Sequence, residues 1–505
     1  MNKPTRRASV FCLLLILALL ARVTWLQGVD GQSLADSPHN ERTTIAEYAH
    51  PLGNIIVAGD PVTGSGLSGA GSGLKYKRTY IDGALYAPIT GYSSQIYGST
   101  GLQALYPSIL DGTDSRLKTV QDLVTGESPK PGNVITTIDP AVQKAGYSVL
   151  SSAGDTGAAV AIDPSTGRIL GMVSTPSYNP GSISGDLRSD VNSWISLTKS
   201  SSQPMENRAM SETYAPGSTF KLVVLTAALK SGAYTSINVP TDSPDPYYPP
   251  GSTVPVVNEE AALPCKNATL KVALELSCNT VFGPVAVKLG WPTVRATAKE
   301  FGFDSTDIDV PTQAVESVYP SDMDVPETAM SGFGQYDDRA SPLQMAMVAS
   351  AIANDGKLAS PHMVTSVTDG NGSTLKSYPD GKDKTIMSPS IAKMIQNAMV
   401  GVVQGGTGTN ARISGVEVGG KTGTAQAGVG NSQTLAWYVS WAKYDGKEVA
   451  VAAVVAHSAV PADEVSGNGL AAPICKAMME AALGLKNCAS GTGSAAASCG
   501  VTPLA

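Results

Sequence analysis

Charged residues and histidines are both scarce in this chain of 505 residues. Charged residues make up 15% of the sequence, histidine occurs four times, and the formal net charge is −7. The body of the chain has no dense stripe of lysine or arginine, so nucleic acid is not an expected partner. None of the six cysteines forms a CxxC pair, so no metal site is expected, and the sequence calls for no cofactor.

Glycine and proline, by contrast, are plentiful. The chain contains 52 glycines and 33 prolines, and 42% of its residues are hydrophobic. This length and hydrophobic content are enough for a large core and for more than one domain. The glycines and prolines predict many turns and loops between the regular elements.

A hydrophobic run near the N-terminus indicates a membrane anchor. Three basic residues within positions 1–7 precede the apolar run Ala8 to Ala21, and Arg22 and Trp25 follow it. The run is short for a spanning helix, which needs about 20 residues, but Arg22 can snorkel and Trp25 suits a membrane interface. We therefore predict a single-pass protein of the cytoplasmic membrane, with a cytoplasmic N-terminus at 1–7, a transmembrane helix at 8–25 and the rest outside. A cleaved signal peptide is the alternative, but no small-x-small cleavage site ends the run.

Two pairs of cysteines are close in sequence, and an extracytoplasmic location permits disulfides. Cys265 and Cys278 flank a short segment, while Cys488 and Cys499 bracket a stretch rich in glycine, serine and alanine. Each pair could form a disulfide. Free, buried thiols are the alternative for both pairs.

The chain after the anchor divides into three regions by composition. Residues 26–130 are rich in Gly, Ser, Pro and Thr and contain short β-like runs such as Asn54 to Ala58, which predicts a loosely structured, strand-containing module. Within it, Gly64 to Gly73 is typical of a low-complexity loop. Residues 131–487 have stronger helix and strand patterns, and residues 488–505 are typical of a disordered tail.

The large middle region has the order hairpin, helices, three strands, helix. Asp139-Pro140 and Ser341-Pro342 are helix starts, and the turn Pro164 to Gly167 predicts a β-hairpin between two apolar runs. The three strands and the last helix are predicted at Val416 to Gln426, Thr434 to Lys443, Val449 to Ala456 and about Leu470 to Leu483. A helix cluster packed on an antiparallel sheet is an α+β fold.

The first motif with chemical potential is Ser218-x-x-Lys221. A Pro-Gly pair precedes Ser218 and the run Lys221 to Leu229 is apolar all round, so Ser218 falls at the first turn of a buried helix. Because residues i and i+3 share a helix face, the Lys221 amine can lie beside the Ser218 hydroxyl. Burial and a second cation can lower a lysine pKa enough for it to act as the base that a serine nucleophile needs. The Ser218 N–H, at a helix N-terminus, can face a developing oxyanion.

The second motif is Ser277-x-Asn279, between helical stretches at Leu270 to Leu276 and Thr280 to Leu289. A tight connection of this kind can point its side chains inward. The Ser277 hydroxyl could relay a proton from Lys221 to a leaving amine. The Asn279 amide could bind a substrate carbonyl.

The third motif, Lys421-Thr422-Gly423-Thr424, lies on a predicted strand. Lys421 offers a cation for a substrate carboxylate and could also lower the pKa of Lys221. Thr422 and Thr424 add hydroxyls, and the Thr424 N–H could be a second oxyanion donor. Gly423 is interpreted as leaving room for a substrate backbone beside the strand.

SxxK, SxN and KTG in this order form the signature of penicillin-binding proteins and β-lactamases. Residues from about 130 to 485 resemble the transpeptidase domain of class B penicillin-binding proteins. Further stretches that support this resemblance are Gly157 to Ser174, Asn207 to Ala209, Ser341 to Ala346 and Ala353 to Gly356. The whole chain resembles the actinobacterial penicillin-binding protein A group, including Ile89 to Tyr92 and Tyr97 to Leu102.

This resemblance implies a penicillin-binding transpeptidase fold, shared with serine β-lactamases, behind a strand-containing pedestal and one N-terminal membrane helix. It implies a peptidoglycan D,D-transpeptidase that is acylated by D-Ala-D-Ala stem peptides or by β-lactams and passes the acyl group to a neighbouring amine. It also implies a SEDS-type glycosyltransferase as partner, docked on the anchor and pedestal. The implied catalytic residues are Ser218, Lys221, Ser277 and Asn279, and the implied substrate-binding residues are Lys421, Thr422, Gly423 and Thr424.

The sequence departs from the class B pattern in the pedestal. Leu52-Gly53 stands where an Arg-Gly pair is usual, and Gln103 stands where Glu is frequent. These departures concern pedestal orientation or partner docking rather than the chemistry. Cys278, the variable middle residue of the second motif, is either a filler side chain or half of a disulfide.

The residues fit other functions less well. Gly415 to Thr422 matches a P-loop pattern, but no helix-forming sequence follows it, so an ATPase is disfavoured. No Glu-x-x-Leu-Asn element lies between the second and third motifs, which disfavours a β-lactamase. A D,D-carboxypeptidase and a β-lactam-acylated sensor of the same fold remain as alternatives.

Overall fold

A computed structural model provides the structure of the protein. It describes residues 3–29, 41–118, 130–260, 262–308, 310, 312–427 and 433–485, with residues 41–43 and 427 described in their backbone only. The proposed Cys488–Cys499 pair and the tail 488–505 lie outside the described residues.

Helix α1, Lys3–Gly28, contains the apolar N-terminal run and extends beyond it at both ends. None of its most apolar stretch is buried, and the helix is long and apolar enough to cross a membrane. Among the described residues no other helix meets both conditions.

The region after α1 is built from short strands and helices. The helices are α2 Glu41–Glu47, α3 Gly83–Thr90, α4 Gly101–Leu105 and α5 Pro107–Asp111. The strands are β1 Ile55–Val57, β2 Asp60–Pro61, β3 Thr63–Leu67, β4 Tyr76–Tyr80, β5 Ser93–Ser94 and β6 Gly98–Ser99. The predicted strand near Asn54 to Ala58 is therefore confirmed as β1.

The interpretation of Gly64 to Gly73 as a loop is wrong for its first part. Strand β3 includes Gly64 to Leu67, and it pairs antiparallel with β4 along its whole length. Glycine-rich composition lowers strand propensity, but the partner strand supplies hydrogen bonds that override it. The partner lies beyond the glycine-rich stretch, so composition alone could not indicate the pairing.

The second half of the chain contains the larger helices and strands. The helices are α6 Pro140–Ala153, α7 Arg188–Lys199, α8 Lys221–Lys230, α9 Leu270–Glu275, α10 Asn279–Leu289, α11 Trp291–Phe301, α12 Val325–Ser331, α13 Pro342–Ala353, α14 Pro389–Gln404 and α15 Ala472–Ala482. The strands are β7 Asn133–Thr136, β8 Thr156–Ile162, β9 Ile169–Thr175, β10 Lys357–Ala359, β11 Val364–Thr368, β12 Thr374–Ser377, β13 Asp383–Thr385, β14 Glu417–Ala427, β15 Gln433–Tyr444 and β16 Lys447–His457.

The central sheet has the antiparallel order β14-β15-β16-β8-β9. It unites the predicted hairpin (β8, β9) with the three predicted C-terminal strands, so both predictions are confirmed. Helices α6 and α15 cover one face of the sheet and α13 the other. This arrangement is the α+β fold expected from the sequence, and it leaves β14 as an edge strand.

A second sheet, of order β12-β11-β7-β1-β2, joins the N-terminal module to the second half. Strands β1 and β7 run parallel, and the other neighbours are antiparallel. Because the sheet takes strands from both sides of residue 131, the two regions are connected by backbone hydrogen bonds as well as by the chain. The domain boundaries themselves remain predictions.

Helix starts follow the local sequence. The Asp139 carboxylate accepts hydrogen bonds from the N–H groups of Ala141 and Val142, at 2.7 and 3.3 Å, and caps α6. The Ser341 hydroxyl accepts from the Gln344 N–H at 3.1 Å and caps α13. Both predicted helix starts are confirmed.

Cys265 and Cys278, 13 positions apart in the sequence, form a disulfide. Of the two alternatives left open for this pair, the disulfide is therefore the one that the structure shows.

Replacing both cysteines with serine is expected to lower the free energy of unfolding by about 3 kcal/mol, because a loop of this size is no longer closed in the unfolded chain. Chemical unfolding of the full chain in detergent measures this loss.

The matched control for the disulfide prediction is reductant added to the double-serine chain, which should cause no further loss of stability. Reductant alone should destabilise the natural chain by about the same amount as the double substitution. An unchanged unfolding midpoint in the double-serine chain would contradict the prediction.

Candidate active site

The nucleophile turn is a short 3-10 segment, Gly217–Phe220, that leads directly into α8. Ser218 is 8% exposed, and residues Lys221 to Leu229 of the following helix are all buried. A helix that is apolar on every side has no face suited to water, so α8 is a core helix. The turn therefore presents one hydroxyl from a rigid, buried support.

A backbone contact between Gly217 and Gly334 fixes the position of this turn. The Gly217 N–H donates to the Gly334 carbonyl at 3.0 Å, and both residues have positive φ, +53° and +73°. A Cβ on Gly334 would lie 2.2 Å from the Gly217 oxygen, so no other residue fits without a shift. Sequence reasoning missed Gly334, because nothing local links it to Ser218.

The Lys221 amine lies at the centre of the site. Its Nζ is 2.8 Å from Ser218 Oγ, 2.7 Å from the Ser277 carbonyl oxygen, 2.7 Å from Asn279 Oδ1 and 3.2 Å from Ser277 Oγ. The carbonyl and amide oxygens are pure acceptors, so each takes one N–H from the lysine. A neutral amine with two N–H donors then has its lone pair left for the Ser218 hydroxyl proton.

Electrostatics favour this neutral form. Burial, with the nearby charge of Lys421 as the second cause, holds the pKa of Lys221 well below its usual value of 10.5. Burial also lowers the pKa of Lys421 to about 7, against the opposing influence of Glu259. Two amines buried side by side are not easily protonated at the same time. Burial and the repulsion between the two charges therefore leave Lys221 available as a base.

Ser277 connects the two lysines. Its hydroxyl is 2.9 Å from Lys421 Nζ as well as 3.2 Å from Lys221 Nζ. Its φ of +60° is in the left-handed region, which costs a non-glycine residue about 1–2 kcal/mol. The bond from Lys221 to the Ser277 carbonyl helps to hold this conformation, which turns the hydroxyl toward both amines.

Strand β14 supplies the third side of the site. Lys421 is fully buried and also donates to the Thr422 carbonyl at 2.9 Å. The Thr422 hydroxyl is 2.7 Å from the hydroxyl of Thr407, a residue that sequence reasoning did not single out. Gln335 donates its amide N–H to the Thr424 carbonyl at 3.4 Å, and it too was missed.

The reason given for Gly423 is wrong. A Cβ on Gly423 would lie 2.9 Å from the Thr219 side chain and 3.0 Å from the Pro216 oxygen, so it points at the nucleophile turn. Lys421 and Gly423 share this inner side of the strand because side chains alternate along it. Gly423 therefore permits the close approach of β14 to the Ser218 turn and does not make room for a substrate.

All three predicted motifs meet in one cleft between the central sheet and the helices. The structure brings Ser218, Lys221, Ser277, Asn279 and Lys421 into one hydrogen-bonded group. Thr422 and Thr424 lie beside it on β14. A serine beside one buried lysine, which Ser277 connects to a second buried lysine on the edge strand of an antiparallel sheet, defines the serine acyl-enzyme class of penicillin-binding proteins and β-lactamases.

Comparison with protein families agrees with this class. Residues 157–480 match the penicillin-binding protein transpeptidase domain, and residues 52–134 match the dimerisation domain of penicillin-binding protein A. The chain belongs to the penicillin-binding protein transpeptidase family.

Similar proteins match most of the chain. The chain is 36% identical to a peptidoglycan D,D-transpeptidase PbpA of Mycolicibacterium smegmatis over 496 residues, which covers 96% of this chain and 99% of the relative. It is 29% identical to the peptidoglycan D,D-transpeptidase MrdA of Acinetobacter baumannii, covering 69% of this chain and 56% of that protein. The likeness to the mycobacterial protein thus includes the N-terminal region.

Solved structures share the fold. A ceftriaxone acyl-enzyme complex of penicillin-binding protein A from Mycobacterium tuberculosis superposes with a TM-score of 0.81 at 34% identity, covering 87% of this chain and all of that one. A D,D-transpeptidase domain from Eggerthella lenta gives a TM-score of 0.72 at 31% identity, covering 86% and 98% of the two chains. The central sheet, the helices and the strand-containing module are therefore those of a penicillin-binding protein.

Proposed function

We propose that the protein is a peptidoglycan D,D-transpeptidase with Ser218 as its nucleophile. The observation that carries this proposal is the Lys221 amine, fully buried and 2.8 Å from Ser218 Oγ. The relatives named peptidoglycan D,D-transpeptidases, and the acyl-enzyme structure of a mycobacterial relative, support the same reaction.

In the acylation step, Ser218 Oγ attacks the carbonyl carbon of the D-Ala-D-Ala peptide bond. The hydroxyl proton passes to the Lys221 lone pair, and the N–H groups of Ser218 and Thr424 are assigned to the developing oxyanion. As the C–N bond breaks, the Ser277 hydroxyl, between the two amines, passes its proton to the nitrogen of the leaving D-alanine and takes up the proton held by Lys221. The product is an ester between the acyl group and Ser218.

Substrate binding is assigned to β14, and the second motif supports the base. Lys421 attracts the terminal carboxylate of the stem peptide, and the Thr422 and Thr424 hydroxyls donate to it. Asn279 holds Lys221 through its Oδ1 atom, and its Nδ2 group donates to the Val257 carbonyl at 3.1 Å. In this arrangement Asn279 orients the base and supports one wall of the cleft.

A reaction with two outputs tests the transferase assignment. The full chain in detergent is given a peptide ending in D-Ala-D-Ala together with a lysine-containing acceptor peptide, and both D-alanine release and cross-linked dimer are measured. We expect dimer and D-alanine to appear together. Release of D-alanine without dimer would identify a carboxypeptidase, and an enzyme that penicillin does not acylate would contradict the acyl-enzyme proposal.

We also propose that α1 anchors the protein with its N-terminus in the cytoplasm and its catalytic region outside. The exposed apolar helix and the basic residues before its apolar run support this topology. Protease added outside intact spheroplasts should degrade the catalytic region and leave an N-terminal tag intact.

The same anchor and pedestal are the proposed docking surface for a SEDS-type glycosyltransferase. Co-purification of the two full-length proteins would test this partnership.

A further inference from the structure

The segment 331–340, which joins helix α12 to α13, contacts the chain around the nucleophile at two places. In its first half, the Gly334 carbonyl accepts from the Gly217 N–H at 3.0 Å. At its end, Ala340 pairs with Tyr214 through two backbone hydrogen bonds of 2.9 and 3.0 Å. The stretch that leads into the nucleophile turn is therefore held at both of its ends by this one segment.

The same segment also reaches strand β14. Gln335 donates its amide N–H to the Thr424 carbonyl at 3.4 Å, and a Cβ on Gly217 would lie 2.9 Å from that carbonyl oxygen. The N–H groups of Ser218 and Thr424 are the assigned oxyanion donors. The segment thus contacts the backbone next to both donors, so its position affects the geometry that the oxyanion meets.

A buried hydrogen bond between side chains closes the segment. Ser331 Oγ donates to Asp338 Oδ1 at 2.5 Å, and both side chains are fully buried. This bond ties together the two ends of the loop 332–337, which contains Gly334 and Gln335. Because a loop with tied ends has fewer conformations, the bond restricts where these two residues can lie.

Stability alone does not explain a carboxyl group at position 338. The Oδ2 atom of Asp338 is buried, and within the described residues it has no hydrogen-bond partner. A buried oxygen without a partner lowers stability. Burial also raises the pKa of Asp338 well above its usual value, which favours the neutral carboxyl. Side chains that break the rules of stability in this way are expected where function requires them.

We propose that Asp338 is a positioning residue that holds the 331–340 segment, through its hydrogen bond to Ser331, in the conformation that orients Ser218 for attack. This inference rests on the proposed acylation of Ser218. Asp338 acts through Gly334 and Gln335, which contact the turn and β14. Its loss should therefore slow the acylation step and leave the binding of penicillin little changed.

The test measures acylation of the full chain in detergent over a range of penicillin concentrations, which separates the limiting rate of acylation from the apparent dissociation constant. Asp338→Ala is expected to lower the limiting rate roughly 10- to 100-fold, the scale of a small misplacement of reacting groups. The apparent dissociation constant should change by less than about twofold. Asp338→Asn is neutral and can still accept the Ser331 hydrogen bond, so its limiting rate should stay within about threefold of the natural value.

Two further substitutions separate the hydrogen bond from a general loss of stability. Ser331→Ala removes the other half of the bond and should slow acylation to a similar extent. The double variant Ser331→Ala/Asp338→Ala should be about as slow as either single variant, because all three lack the same bond. Asp139→Ala is the matched control: it removes a carboxyl with two hydrogen bonds from the start of α6, outside the site. It should lower the melting temperature while its limiting rate stays within about twofold of the natural value.

Each outcome bears on a stated claim. Natural limiting rates in Asp338→Ala and Ser331→Ala would overturn the role of Asp338 and leave the proposed function intact. An Asp338→Asn chain as slow as Asp338→Ala, or an equally slow Asp139→Ala chain, would overturn it too, because the hydrogen bond would then not be the cause. If Asp338→Ala does not fold, Ser331→Ala and Asp338→Asn decide between these outcomes. A natural chain that penicillin does not acylate would overturn the proposed function itself.

Discussion

Replacing Lys221 with methionine is expected to lower the rate of Ser218 acylation by penicillin roughly 10²- to 10⁴-fold, the range in which a general base contributes. Methionine is unbranched and fits a buried, apolar position, so the loss should be one of chemistry more than of packing. Without the amine, Ser218 loses the group at 2.8 Å that accepts its proton. The second-order rate of labelling by a fluorescent penicillin measures the effect.

The control is Lys230→Met, at the last turn of the same helix. Lys230 forms an ion pair with Glu300 and lies outside the hydrogen-bonded group of the site. Its substitution should change the acylation rate less than twofold, because a partly exposed ion pair contributes little. Acylation of Lys221→Met at close to the natural rate would show that another group is the base.

The acylation rate of the free enzyme is expected to be bell-shaped with pH. The active base is neutral Lys221, so the rate rises with pH through the pKa of Lys221, which burial places well below the usual lysine range. Lys421 must be a cation to attract the penicillin carboxylate, so the rate falls as pH rises above its pKa of about 7. On each limb the change approaches tenfold per pH unit, giving about 100-fold over two units.

Lys421→Arg separates the two limbs of this profile. A guanidinium keeps its charge throughout the accessible range, so the falling limb near neutral pH should disappear while the rising limb stays. The second-order acylation rate, measured between pH 5 and 9, gives both curves. A falling limb that persists in the arginine variant would show that Lys421 is not its origin.

The features that sequence could predict depend on neighbours in the chain. The Asp139 and Ser341 caps, the hairpin at Pro164 to Gly167 and the spacing of Ser218 and Lys221 are each set within a few residues. Local hydrogen bonds and side-chain periodicity decide them, so a short window of sequence contains the information. The order of the three motifs then indicated a shared cleft. The sequence did not give the distances between the motifs in space.

The features that sequence could not predict depend on contacts between distant segments. Gly334 fits against Gly217, and Thr407 meets Thr422, only because the tertiary fold brings these pairs together. To predict that Gly423 faces the Ser218 turn, one would need to know the register of strand β14. Likewise, composition gave no sign that β7 and β11 would pair in one sheet beside β1, since such non-local pairing has no local signal.

The identity of the residue that becomes acylated tests the proposed mechanism most directly. The full chain is incubated with penicillin, its intact mass is measured, and the labelled peptide is located by tandem mass spectrometry. Since the Ser218 hydroxyl lies beside a buried amine whose pKa is held well below its usual value by that burial, the natural chain should gain one penicillin mass on Ser218, and Ser218→Ala should gain none. A penicillin adduct that persists in Ser218→Ala, or that maps to another residue in the natural chain, would contradict the assignment.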